Sequence, residues 1–375
     1  MDKVELGRRI TEARTAVDMT QQGLADAVGL DRSAIITLEQ GKRNLKVPEL
    51  VEIAQALDRP LTYFVRPTVP AAVSRRSSPE TRHESTHQLD LELDEFAADL
   101  RSLQELGLIV PFARDTSRSL PDSHEGVELV AAGLRTDAGL GATPITDLGR
   151  TCERFGLYTY SVPLGAQGPD GGCVEIESTH GSTGAAVING DAASGRRRMT
   201  LAHELGHWVF GDAYDTGATF QTERMINSFA IHFLAPRSGV VREWNAHKDW
   251  TIRDRAIVVS ATYRLSWTAA LSQLRNLGLI DHAERDRLVE HEPRSGDFLR
   301  LELTWPDELE PGYLSPGFTS ACMRGYTESK LTADRTLQLL RGILTEQDLP
   351  DRSPLTLDDF RASFAGHNLG SPGHE

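Results

Sequence analysis

The sequence has few cysteines, no long apolar run and no excess of basic residues. Its three cysteines, Cys152, Cys173 and Cys322, are far apart and include no CxxC pair. Neither a disulfide framework nor a thiolate zinc site is therefore indicated. No apolar run reaches the roughly 18 residues of a membrane-spanning helix, and the first residues lack the basic-then-apolar form of a signal peptide. These absences predict a cytoplasmic protein with no membrane partner.

The charge is unevenly distributed along the chain. The 375 residues carry a net charge of −14, and a chain of this length is expected to hold two or three domains. Residues 1–66 contain ten Lys or Arg and ten Asp or Glu, so the remainder carries all of the net negative charge. That acidity disfavours nucleic-acid binding by the molecule as a whole. Any contact with DNA is expected in the first segment.

The first segment has the pattern of an all-α domain. Leu6, Ile10 and Ala13 form an apolar stripe, Thr20 is a candidate N-cap, and Gly29 makes a turn into a helix that spans 32–40. A helix, a three-residue turn and a second helix form the motif that lays its second helix in the major groove of DNA.

This segment resembles the lambda-repressor-like (XRE) helix-turn-helix family. The resemblance lies in MTQQGLA at 19–25, GLDRS at 29–33 and ITLEQGKR at 36–43. It implies a domain over 1–66 that binds a double-stranded DNA operator. A neutral domain with few phosphate contacts favours a homodimer on a two-fold operator. The residues that the resemblance places at base edges or phosphates are Gln21, Arg32, Ser33, Thr37, Gln40, Lys42 and Arg43.

The middle of the chain has the composition of a linker followed by a mixed α+β region. Residues 67–88 combine Pro, Ser and charges without an apolar period, which is typical of a flexible linker. Residues 89–108 return to helical spacing and predict either a dimerising helix or, as we favour, the first helix of the next domain. Three strands follow at 157–162, 172–176 and 184–189, and we expect an antiparallel sheet whose last strand is the edge that receives an extended substrate.

The stretch RMTLAHELGHWVF at 198–210 carries the strongest chemical signal. On a helix that starts near Thr200, residues four apart share a face, so His203 and His207 can bind one zinc ion while Glu204 faces its water. Two surface histidines on an ordinary helix are the alternative.

A third ligand is expected on the helix at 221–235. Glu223 lies in its first turn, and Asn227, one turn later, can hydrogen-bond a ligating group. Asp212, Asp215 and His232 are competing ligands that we consider weaker. For the oxyanion, nothing in the sequence selects among the candidates Tyr263, Arg264 and His247.

These blocks, in this order, resemble the ImmA/IrrE family of metallopeptidases between about 145 and 280. The resemblance implies a gluzincin-like zinc metallopeptidase domain over 89–282. It also implies one Zn²⁺ per chain held by His203, His207 and Glu223, with Glu204 as the catalytic general base.

The remaining residues, 283–375, form a C-terminal extension of mixed structure and unknown role. Its alternating stretch at 298–303 predicts a strand, and about ten residues at its end are expected to be disordered.

Two functions remain open from the sequence. The first is a transcriptional regulator with zinc endopeptidase activity that removes a repressor or regulatory partner by limited proteolysis, with the 67–88 segment as a candidate site of cleavage in cis. The second is a transcription factor whose peptidase-like domain senses a ligand or metal without hydrolysis. The intact Glu204 favours the first, because a sensor needs no general base.

Overall fold

The structure is a computed structural model that describes residues 3–17, 19–57, 59, 61, 64, 74–76, 84–115, 118–211, 220–304 and 307–352. It has a helical N-terminal unit followed by an α+β region, as the sequence predicts. The C-terminal residues predicted to be disordered lie outside the described ranges. No helix within those ranges is long and apolar enough to cross a bilayer.

The N-terminal unit is a small helical domain with its own core. Its helices are α1 (Lys3–Ala16), α2 (Gln21–Ala27), α3 (Arg32–Glu39) and α4 (Val47–Ala56). The Thr20 hydroxyl caps α2 by accepting from the Gly23 amide at 3.0 Å. Gly29 takes a φ of 64° in the turn before α3, a conformation that favours glycine. Ile10, Leu24 and Ile35 are fully buried where the helices meet.

The α+β region contains a small sheet with helices on both faces. Its first elements are β1 (Ser74–Arg76), α5 (Glu84–Glu105), α6 (His124–Asp137), α7 (Leu148–Glu153), β2 (Leu157–Val162), β3 (Gly171–Ser178) and β4 (Gly181–Asn189). The helices that follow are α8 (Ser194–Phe210), α9 (Phe220–Leu234), α10 (Arg237–Ala246), α11 (Ile252–Tyr263), α12 (Trp267–Asn276), α13 (His282–Val289), α14 (Ser295–Arg300), α15 (Pro316–Thr327) and α16 (Ala333–Leu339).

The strand order in the sheet is β1-β3-β4-β2. β3 pairs antiparallel with β1 and with β4, whereas β2 pairs parallel with β4. Two predictions were therefore wrong: the sheet is mixed rather than antiparallel, and β4 is a central strand rather than an edge. The reason is topological. β3 and β4 form a hairpin, and β2 takes the free side of β4, which leaves the outer side of β3 to β1.

Side chains alternate between the two faces of the sheet. On one face, Val174, Ala185 and Val187 pack with apolar residues of α5 such as Phe96. This packing identifies α5 as the first helix of the α+β region, as we favoured. On the other face, residues including Cys173 pack against α8.

The predicted linker contains a short strand near its middle and the start of a helix at its end. β1 lies within 67–88 and joins the sheet, and α5 begins at Glu84, before the predicted start at 89. The linker prediction was too broad for a physical reason. A three-residue strand has no detectable period, and the first turn of α5 has no apolar residue.

Part of the C-terminal extension completes the core of the α+β region. Leu309, Leu314 and Phe318 are buried within its two apolar clusters. The strand predicted at 298–303 was wrong, because residues 295–300 form α14. There, Asp297 accepts from the Arg294 amide at 2.9 Å and pairs with Arg253 of α11, which favours a helix start over a strand.

Candidate metal centre and nucleic-acid interface

The helix α8 carries both histidines and is buried along most of its length. It begins at Ser194 rather than at the predicted Thr200, and Gly211 ends it in the left-handed conformation with a φ of 70°. His203 and His207 are 1% and 2% exposed. The alternative of two surface histidines is thus excluded.

The first part of α8 carries arginines that pair with acidic residues of the C-terminal extension. Arg197 and Arg198 are buried and form ion pairs with Asp307 and Glu308. Burial, followed by the charge of nearby Arg264, lowers the pKa of Arg198 to about 9. Sequence analysis missed both acidic partners, because no local pattern links them to a helix more than a hundred residues away.

A glycine allows α9 to approach α8 closely. A Cβ placed on Gly206 would lie 3.0 Å from Phe229 Cδ1 and 3.1 Å from Ile226 Cγ2, both on α9. This close packing carries the first turn of α9, and with it Glu223, toward the two histidines.

Three ligand atoms converge at this contact. The Nε2 atoms of His203 and His207 are 3.0 Å apart, and the Glu223 carboxylate lies 3.4 Å from the first and 3.5 Å from the second. Within the described part of the chain, these three residues form the group suited to hold a metal ion. The Glu223 side chain is 40% exposed, so one side of the centre is open to solvent.

The donor set fits zinc in both chemistry and spacing. Tetrahedral zinc with bonds of about 2.0–2.1 Å separates its ligand atoms by about 3.3–3.4 Å. The three separations of 3.0, 3.4 and 3.5 Å lie close to that value. Two imidazoles and one carboxylate on two helices leave a fourth position for a water or a substrate, which is the pattern of catalytic zinc sites.

Asn227 contacts one of the candidate ligands. Its Oδ1 lies 3.2 Å from His203 Nδ1, and its amide nitrogen donates to the Glu223 carbonyl oxygen at 2.8 Å. The second bond fixes which amide atom faces the histidine. His203 then donates through Nδ1–H, and its Nε2 is left bare to ligate.

Glu204 lies in the same turn as the ligands and is fully buried. Its backbone oxygen contacts the Cys173 thiol of β3 at 3.7 Å, so the sheet holds this turn of the helix in place. A buried carboxylate next in sequence to a candidate metal ligand is the kind of group that can act as a general base.

His232 and the oxyanion candidates have other partners and are not part of the triad. His232 is buried and its Nδ1 lies 3.2 Å from Gln273 Nε2, while Asp212 and Asp215 fall outside the described residues. The other side chains have partners of their own. The Tyr263 hydroxyl donates to the Ala142 oxygen, Arg264 donates to the Thr146 oxygen, and His247 lies beside Glu243.

The predicted DNA-contacting residues lie on or near α3, but they differ in availability. Arg32, Ser33, Gln40 and Lys42 are exposed, and Lys42 donates to the Gln40 amide oxygen at 2.8 Å.

Three of the side chains predicted to contact DNA instead form hydrogen bonds within the domain. Gln21 donates to Glu39 at 2.7 Å, and Arg43 makes a two-pronged pair with Glu49 at 2.6 and 3.2 Å. The Thr37 hydroxyl donates to backbone oxygens one turn earlier. Glu49 offsets the positive charge of Arg43, which would otherwise face phosphate.

Comparison with known proteins finds a family match for each of the two regions. Residues 10–64 match the helix-turn-helix family model, and residues 152–274 match the IrrE N-terminal-like domain of the M78 peptidases. The chain therefore carries a helix-turn-helix domain at 10–64 and an IrrE-like domain at 152–274. The M78 match includes α8, α9 and all three members of the triad.

Two individual relatives each match a short part of the chain. An uncharacterized transcriptional regulator in the ATPase CF(0) region of Rhodospirillum rubrum is 34% identical over 59 residues, which are 16% of this chain and 55% of that protein. The chain thus spans about half the length of this curated relative. The restriction-modification controller protein C.AhdI from Aeromonas hydrophila is 38% identical over 16% of this chain and 92% of that chain, with a TM-score of 0.16.

Two further features of the α+β region were missed by sequence analysis. Gly171 lies where β3 crosses α8, because a Cβ there would be 2.9 Å from Thr200 Cγ2. Gly149 makes room for the Tyr313 hydroxyl from the C-terminal extension, which a Cβ at that position would overlap. The available signal was the pair Gly171–Gly172, of which the sequence analysis placed only Gly172 in a strand.

Proposed function

We propose that this protein is a DNA-binding transcriptional regulator with zinc-dependent endopeptidase activity, which acts by limited proteolysis of a repressor or other regulatory protein. The observation that carries the proposal is the convergence of His203, His207 and Glu223, with the buried Glu204 next to His203 on the same helix. The fusion with a helix-turn-helix domain supports a regulatory substrate, because that domain can bring the peptidase to a promoter where such a protein is bound.

His203, His207 and Glu223 would hold the ion, and Asn227 would orient His203. A zinc ion in this site supplies Lewis acidity, which activates a water and polarises a peptide carbonyl. Glu204 accepts the proton of the attacking water and returns it to the amine that leaves. Burial of Glu204 keeps bulk water from competing for that proton transfer.

The exposed residues of α3 support DNA binding. Arg32 and Ser33 lie in its first turn and are free of acidic hydrogen-bond partners among the contacts described, while Gln40 and Lys42 follow its end. The segment 1–66 has no net charge. Affinity from one copy would be low, so a homodimer on a two-fold operator fits this domain best.

The peptidase activity is tested with Glu204→Gln and Glu223→Gln. Glu204→Gln should keep one zinc per chain and lose hydrolysis by about 10²–10⁴-fold, the contribution of a general base. Glu223→Gln should lose zinc as well. Zinc is measured by elemental analysis, and cleavage by mass spectrometry of candidate helix-turn-helix repressors incubated with each protein. Regulation that is unchanged in Glu204→Gln would support the alternative of a non-hydrolytic sensor.

The DNA contact is tested with Arg32→Ala against a matched control. A target is first selected from a randomised duplex pool, and affinities are then measured by fluorescence anisotropy over a range of salt. Arg32→Ala should cost about 1–3 kcal/mol on the selected duplex. Arg8→Ala removes the same charge from α1, where Arg8 pairs with Glu5, and should bind nearly as the wild type. Equal losses in both variants would contradict the assigned face.

A further inference from the structure

The outer edge of β3 runs beside the turn of α8 that carries Glu204. Cys173 contacts the Glu204 backbone oxygen at 3.7 Å, and a Cβ on Gly171 would lie 2.9 Å from Thr200, one turn earlier on α8. The backbone of 171–173 is therefore the part of the sheet that borders the candidate metal centre.

β1 pairs with this same stretch. Its register sets Ser74 opposite Cys173, Arg75 opposite Gly172 and Arg76 opposite Gly171. β1 also contacts α8 directly. Residues opposite each other across two strands share a face, so position 74 lies on the face of the sheet that Cys173 turns toward α8.

An edge strand offers each of its backbone hydrogen-bonding groups to one partner at a time. A peptide that adds to the sheet beside α8 needs the groups of 171–173, which are those that β1 uses. The chain's own segment and an incoming extended peptide therefore compete for one edge.

We propose that residues 74–76 are a built-in occupant of the peptide-binding edge of β3, and that a substrate segment is received when this strand leaves. The second part, the entry of a substrate segment, rests on the proposed peptidase function. A three-residue strand makes few backbone hydrogen bonds, so it is displaceable. Its tether still gives it an effective concentration on the order of millimolar, enough to exclude weakly bound peptides.

The pairing of β1 with β3 is tested by a disulfide cross-link. Ser74→Cys sets a second thiol opposite native Cys173, and cross-strand Cα separations of about 4.5–5.5 Å fall within the range of disulfides, about 4.4–6.8 Å. Mild oxidation of the full zinc-loaded chain should give, by mass spectrometry, a peptide linked from position 74 to Cys173. Arg75→Cys is the control, because position 75 lies on the other face and should give no such link. Absence of the link in Ser74→Cys overturns the proposal.

The competition is tested by binding rather than by hydrolysis. The probe is a fluorescein-labelled synthetic peptide with the sequence of residues 70–80, measured by anisotropy on the Glu204→Gln background. Oxidised Ser74→Cys should bind it at least tenfold more weakly than the same protein after reduction. The double variant Arg75→Pro with Arg76→Pro should bind it more tightly than the wild type. Successive N–H groups of a strand point to opposite sides, so one of these prolines removes a group facing β3.

The outcomes separate this proposal from the proposed function. Equal binding by the oxidised and reduced forms, or no binding by any form, overturns the occupant proposal. Binding that follows the predicted order, with no hydrolysis of the peptide or of repressors by proteins that retain Glu204, supports the occupant and contradicts the peptidase.

Discussion

The hydrogen bond between Asn227 and His203 provides a sensitive test of the proposed metal centre. Asn227→Ala removes the acceptor that lies 3.2 Å from His203 Nδ1 and keeps Nε2 available for the ion. Loss of such an outer partner typically costs 10–100-fold in metal affinity, equivalent to about 1.4–2.7 kcal/mol. The variant also loses the bond to the Glu223 carbonyl, which should cost about 1 kcal/mol of stability.

The assay is competition for zinc against a chromophoric chelator at pH 7, with unfolding in urea measured in parallel. The matched control is Ser228→Ala, at the next position of α9, where the hydroxyl bonds His124 Nδ1 at 2.7 Å. That change also removes a hydrogen bond to a histidine, but one outside the triad. The reasoning is refuted if Asn227→Ala binds zinc like the wild type, or if Ser228→Ala weakens zinc binding equally.

Three further predictions address packing and charge. Gly206→Ala should lower zinc affinity, because the added methyl would meet α9 at 3.0–3.1 Å and displace it; wild-type affinity in the chelator assay would contradict the close approach. Glu308→Gln should reduce the free energy of unfolding in urea by about 3–5 kcal/mol, because it leaves buried Arg198 without its counter-charge. Substitutions at surface positions ordinarily change this free energy by about ±0.5 kcal/mol. A change of less than about 1 kcal/mol would therefore contradict the prediction. The hydrogen bond from Arg8 is the largest cause that lowers the pKa of Glu5 from 4.5 to about 2. The stability that the ionised Glu5 gives to the fold is therefore present above pH 4.5 and is lost as the pH falls toward 2. Glu5→Gln should make the stability of α1, measured by hydrogen exchange, less dependent on pH over this range.

The parts of the molecule governed by local periodicity were predictable. The spacing of His203 and His207 on one helix, and of Glu223 and Asn227 on the next, places each pair on one helical face whatever the rest of the chain does. The structure brings these residues together, and the same period identified α3 and the apolar side of α5.

The features that were not predictable depend on contacts distant in the chain. The position of β4 inside the sheet follows from pairing with β2, and nothing in the sequence of β4 distinguishes a central strand from an edge. Asp307 and Glu308 form ion pairs with arginines of α8, but they lie in a C-terminal segment whose sequence gives no sign of contact with that helix. The six residues at 298–303 fit the period of a helix as well as that of a strand. The hydrogen bonds of Asp297 favour the helix.

The most direct test of the central claim is an anomalous difference map, collected at the zinc absorption edge, from crystals of the full chain. We expect one peak per chain bonded to Nε2 of His203, Nε2 of His207 and the Glu223 carboxylate, with bonds of about 2.0–2.2 Å and a fourth position free of protein ligands. A peak that excludes Glu223, a fourth ligand from the protein, or no peak from zinc-loaded protein would contradict the catalytic metal centre.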